Sequence, residues 1–202
     1  MREKIRVREQ IRVLLLAADP FTETRLRLEE EVRAIDGAIY QGSKRDRLDL
    51  LPHLAVRVRD LQAVLLRHQP QIVHFAGHGG VSGGIVVGDD FGQPKAVARD
   101  ALSALFRVLA NPPRVVVLNA CGTLTAEDID DDVVDVIIGM NNEIGDKSAI
   151  FFAEGFYGAL AEGETVAKAF EHGVVRLKLE GSPYAMMPVM RIRPGVDPET
   201  LF

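Results

Sequence analysis

The sequence predicts a doubly wound α/β fold, a mostly parallel sheet of about six strands flanked by helices. Three observations carry that reading. Largely apolar, β-branched runs of strand length recur at 12–18, 72–76, 115–118 and 133–140, as expected of strands buried on both faces of a parallel sheet. Stretches with a helical apolar period separate them. No internal repeat, low-complexity tract or linker divides the chain, so 1–202 reads as one domain, with a charged lead-in at 1–10 and a loosely held tail at 194–202.

Taken in order, the charged lead-in places Arg2, Lys4, Arg6 and Arg8 among Ile5 and Val7. It reads as the approach to the first strand or, alternatively, as a basic arm. The run 12–18 ends at the breaker Asp19-Pro20. A helix follows to about Tyr40, capped by Thr22 or Thr24, with Leu26, Leu28, Val32, Ile35 and Ile39 on its apolar face and Glu29, Glu30 and Glu31 on or near the opposite one. Residues 48–56 form a strand interrupted by Pro52, which lacks a ladder donor and so belongs at an edge or a bulge. Leu61, Val64, Leu65 and His68 mark a helix that stops before Pro70. After the strand that carries His74 and His78, residues 83–88 read as one arm of a hairpin turning at 89–92. A helix over 99–110 ends at Asn111-Pro112-Pro113, and the strand carrying Cys121 comes next. A strand over 133–140, a helix from Asp146 or Lys147 to Leu160, a second helix from Thr165 to about Leu179 and an edge strand over 188–193 complete the chain.

Composition narrows the function. The 202 residues are 47% hydrophobic and 26% charged, and the net charge is −5. That suits a globular protein with a substantial core and argues against wholesale nucleic-acid binding, which needs a basic footprint. No apolar run reaches the ~18 residues of a membrane span, and the start lacks a signal-peptide apolar region. A single cysteine cannot form an internal disulfide, which fits a reducing, cytoplasmic setting.

The chemistry-bearing side chains stand at the carboxyl ends of two strands. His78 lies between Gly77 and Gly79, and Cys121 precedes Gly122, 43 residues later. That interval holds one crossover. On neighbouring parallel strands the two would emerge at the sheet edge where open α/β folds gather their chemistry. There a thiol and an imidazole make a nucleophile and its proton acceptor. The backbone amides of Gly79 and Cys121 could bind a tetrahedral oxyanion. His74 reads as structural. His74 and His78 are not a zinc pair, because four strand residues span about 13 Å. The loop 77–84 matches no phosphate-loop pattern and lacks the following lysine. The acidic residues Glu127, Asp128, Asp130, Asp131, Asp132 and Asp135 lack the spacing of a calcium loop. Glu143 and Asp146, between a strand and a helix, are either a helix start or the lining of a specificity pocket, with Asp146 as the helix N-cap in the first case. No metal and no cofactor are implied.

Phe75-Ala76-Gly77-His78-Gly79, then Val117-Leu118-Asn119-Ala120-Cys121, then the segments 136–146 and 152–160, in that order and spacing, resemble the CHAT domain, the caspase-like branch shared with the separases. The resemblance covers about 11–193. It implies a caspase-like sheet and a cysteine endopeptidase acting on protein or peptide substrates, with His78 and Cys121 as the dyad and Gly79 in the oxyanion role. It also implies an acidic pocket for a basic residue before the scissile bond, with Glu143 or Asp146 in the matching segment. Many members end longer proteins that carry sensor modules. This sequence has no span for one, so a separate activator or sensor protein is expected. About a dozen residues separate Cys121 from the next strand, too few for a long cleavable linker, so activity as a single chain is expected. The competing reading is a caspase-like scaffold that binds protein partners without using its dyad. A third is a nucleotide-binding α/β domain. Oligomeric state is not legible.

Overall fold

The computed structural model describes residues 10–21, 26–79, 84–121, 133–141 and 144–202. Among the described residues the sheet has eight strands. Six form the main path in the order β2 (Leu48–Leu54), β1 (Ile11–Ala18), β3 (Ile72–Gly79), β6 (Val115–Cys121), β7 (Val136–Met140) and β8 (Pro188–Ile192). The first five of that path pair parallel, and β8 closes the edge antiparallel to β7. A short hairpin, β4 (Ile85–Gly88) and β5 (Pro94–Val97), pairs with the end of β3. Pro52 lies in the outer strand β2, where its missing N–H interrupts no inner ladder.

The period-2 alternation of the inner strands divides the core in two. Val13, Leu15, Ile72, Val115, Val117, Val136 and Ile138 pack against α1 (Leu28–Gln41), α4 (Asp146–Glu162) and α5 (Val166–Leu179). Leu14, Leu16, Val73, Phe75, Val116, Leu118 and Ile137 pack against α2 (Val58–His68) and α3 (Arg99–Arg107). These runs are therefore largely apolar on both alternating faces, because both are covered, with His74 and Asn119 as buried polar exceptions. Helices α4 and α5 meet through Gly155 and Gly173. A Cβ on Gly155 would stand 2.8 Å from the Arg176 Cβ, and one on Gly173 would stand 2.7 Å from the Phe152 ring.

Several expectations need correction. Helix α1 begins at Leu28, and both proposed caps, Thr22 and Thr24, lie outside the described residues. Glu31 is not on the outer face; it is 5% exposed. It stands four residues before Ile35 and eight before Ile39, so the helical repeat carries it onto the buried face. The N-cap of α4 is Gly145 with no side-chain bond, and Asp146 is the first helical residue. There its charge still complements the helix dipole.

The tail beyond Pro194 is not loose. Leu201 is 4% exposed and belongs to the core. Its carbonyl accepts a hydrogen bond from Arg114 Nη1, and Thr165 donates to Glu199. Arg114 and Arg193 also grip the two oxygens of Asp135. Burial pushes the Asp135 carboxyl up, but the two guanidiniums outweigh it and hold its pKa below the ordinary value. A carboxyl with a lowered folded pKa stabilises the fold above its unfolded pKa, about 3.9, and loses that contribution as pH falls through the folded value. The stability gap between the parent and Asp135→Asn is therefore expected to be widest at neutral pH and to shrink progressively below about pH 4. Urea melts at stepped pH measure it.

Candidate functional site

Strands β1, β3 and β6 end together. Ala18 is in register with Gly77, and His78 with Cys121, the last residue of β6. The two residues predicted to work together are thus Cα partners on adjacent parallel strands. Gly79 closes β3 immediately after His78. The backbones of Gly79 and Cys121 therefore stand at one sheet edge. The strand needs glycine just before the histidine: a Cβ on Gly77 would lie 2.6 Å from the Ala18 carbonyl oxygen.

The His78 ring is held from two sides. Its Nε2 lies 3.0 Å from Asp19 Oδ1, with both side chains about 15% exposed. Phe21 meets the ring edge-on, with centroids 4.7 Å apart. Asp19 is itself oriented, because its Oδ2 accepts the Leu26 amide at 2.9 Å. An ionised carboxylate only accepts, so Nε2 carries the proton and the lone pair of the neutral ring sits on Nδ1. Asp19 escaped the sequence reading, where Asp19-Pro20 served only as a breaker. Its one sequence signal is an acidic residue directly after the first core strand, at the edge that the other strands use.

Behind this edge lies a second cluster, fully buried. Glu31 Oε1 accepts from His74 Nε2 at 2.9 Å and from Asn119 Nδ2. His74 Nδ1 meets the Tyr157 hydroxyl at 3.0 Å. Burial first, and then the Glu31 charge, push the Tyr157 phenol well above its usual pKa, so it keeps its proton and can donate to Nδ1. His74, expected to be structural, is buried, and its ring nitrogens are engaged by Glu31 and Tyr157. Among the described residues no group of three or more side chains is placed to hold a metal.

A narrow crevice lined by Glu31, Gly77, Asn119, Asp146 and Ala149 opens beside the ends of β3 and β6. It brings Asp146, predicted from sequence, together with Glu31, which was not. Glu143 and the acidic residues 127–132 lie outside the described residues. On the Asp19 side a cleft of about 760 Å³ is lined by Phe21, Leu28, Arg33 and Leu54, among others.

Fold and edge together define a caspase-like α/β protein. The Drosophila initiator caspase Dronc matches 90% of this chain and 79% of its own at 11% identity, with a TM-score of 0.57. Caspase-1 from Spodoptera frugiperda matches 92% of this chain and 86% of its own, also at 11% identity, with a TM-score of 0.59. The CHAT domain family matches residues 4–182, and the chain belongs to it. A Roc-COR-CHAT protease from an unknown prokaryotic organism is 21% identical over 179 residues. That match takes in 85% of this chain and 17% of the relative, so the chain spans about a sixth of the relative's length. No described helix is long and apolar enough to cross a membrane.

Proposed function

We propose that the chain is a cysteine endopeptidase that uses a Cys121–His78 dyad with Asp19 behind it. The observation that carries the reading is the pairing of His78 with Cys121 at the carboxyl edge of the sheet, with Asp19 on the far nitrogen of the imidazole. Membership of a family with a protease-named relative supports it.

In this reading His78 Nδ1 takes the thiol proton, and Cys121 Sγ adds to the scissile carbonyl carbon. The amides of Gly79 and Cys121 hold the resulting oxyanion. As the C–N bond breaks, the imidazolium gives its proton to the departing amine, leaving a thioester. Water then adds to the thioester carbonyl and yields a proton to His78. Collapse releases the new carboxyl group and returns the thiol. Asp19 fixes the ring and faces the positive charge that forms on it.

A basic P1 residue would be met by Asp146, which lines the crevice, or by Glu143, the other residue expected from sequence. Regulation by a separate activator or sensor belongs to the same proposal. The test is identification of new protein N-termini in an extract treated with the chain or with Cys121→Ala. The proposal expects new termini that only the parent produces, mostly after Arg or Lys. Identical termini from both would remove the peptidase reading. Parent-specific termini with no basic bias would remove the P1 assignment alone.

A further inference from the structure

Asn119 carries one polar atom without a partner. The residue stands two before Cys121 on β6, in the same phase of the strand's alternation. It is 4% exposed. Its Nδ2 donates to Glu31 Oε1 and, at 3.1 Å, to the Ala149 carbonyl. Those two bonds use both amide hydrogens. They also fix the orientation of the group, since a turned amide would set Oδ1 against two oxygens. Oδ1 is therefore the atom left over, and it is buried with no donor among the described residues. Buried acceptors nearly always find a donor, because leaving one without costs free energy.

Asn119 lines the narrow crevice beside the ends of β3 and β6. The crevice encloses about 10 Å³, room for one donor group the size of a water and not for a whole side chain. An entering tip can thus reach Oδ1 while its stem stays outside. The neighbouring Glu31 Oε1 already accepts twice, from His74 and from Asn119. Arg27, the lining residue with the longest donor, pairs with Glu30 instead.

We infer that Asn119 is a specificity-determining residue, whose Oδ1 accepts a hydrogen bond from an N–H tip on the P1 side chain of the substrate. The inference rests on the peptidase reading and refines it, because P1 is then chosen by a donor and not by charge alone. Arginine and lysine satisfy Oδ1, and so does an uncharged amide or urea tip. A carboxylate tip brings acceptors to an acceptor, and an aliphatic one leaves Oδ1 buried and unpaired.

Peptidyl acyloxymethyl ketones that differ only at P1 test it. Cys121 Sγ displaces their carboxylate leaving group, the thiol proton passes to His78, and a thioether forms at the chain's one cysteine, read by mass spectrometry. P1 is arginine, citrulline or norleucine, and citrulline keeps the N–H donors without the charge. On the parent the arginine and citrulline probes should each label at least about tenfold faster than the norleucine probe. In Asn119→Ala the citrulline-to-norleucine ratio should fall toward one. A ratio taken within one protein cancels any loss of folded material. Norleucine labelling the parent as fast as citrulline would overturn the inference without any variant, and would leave the crevice selecting by charge or not at all. An unchanged ratio in Asn119→Ala would also overturn it. Labelling no faster than by the same ketone without its peptide, or undiminished in His78→Ala, would remove the peptidase reading and this inference with it.

Discussion

On a peptide that the parent cleaves, His78→Ala and Cys121→Ala are each expected to lower kcat/KM by about 10³–10⁶-fold, with Asp19→Asn close behind at about 10²–10⁴. The asparagine result is the more informative. Asp19 satisfies two donors with two oxygens, the Leu26 amide on Oδ2 and the His78 ring on Oδ1. An asparagine has one oxygen. If the Leu26 amide keeps it, the side-chain NH₂ faces Nε2 and drives the ring proton onto Nδ1, the atom that must receive the thiol proton. Asp19→Ala imposes no tautomer. The account therefore expects Asp19→Asn to be slower than Asp19→Ala, with both folded to the parent's melting temperature within a few degrees. A residue that only packs would give the opposite order, since asparagine is the better isostere. Steady-state kinetics on the two variants decides it.

The second large effect is on stability. Removing the Glu31 carboxylate by Glu31→Ala leaves His74 Nε2–H and Asn119 Nδ2–H with one acceptor fewer in a fully buried site. Asn119 retains the Ala149 carbonyl. Breaking one partner out of a buried polar set costs about 3–5 kcal/mol, a large part of the whole stability of a domain. His74→Ala removes the opposite side and leaves the carboxylate with Asn119 as its remaining donor here, so its cost should be similar. The two losses should not add in the double variant, because each single change already breaks the same contact. Chemical denaturation of the three variants tests this. Additive losses would mean that Glu31 and His74 act separately.

Much of the architecture was legible because its signals are local. The runs 13–18 and 115–118 have no polar interruption and 72–76 has one, His74, and the structure buries both faces of each. Pro52 correctly marked an outer strand, and Gly163-Glu164-Thr165 correctly separated α4 from α5, where Gly163 takes φ +87° and Thr165 accepts from the Lys168 amide. What stayed hidden depends on long-range partners. The charge of Glu31 suggested solvent, although its spacing to Ile35 and Ile39 placed it inside. Only His74, 43 residues away, and Asn119, 88 residues away, make that burial tolerable. The tail's two prolines suggested looseness, yet Leu201 reaches the core and Arg114. Asp19 could not be assigned without the register that sets Ala18 beside Gly77.

The central claim is that His78 activates Cys121, and the sole cysteine of the chain makes it directly measurable. A neutral alkylating reagent reports the thiolate at one site, so the rate is to be followed from about pH 5 to 9 in the parent and in His78→Ala, a range that brackets the ordinary thiol pKa. The account predicts rapid alkylation of the parent at neutral pH, with the profile of His78→Ala moved at least one unit toward that of a free thiol. Superimposable profiles in the two proteins would contradict it.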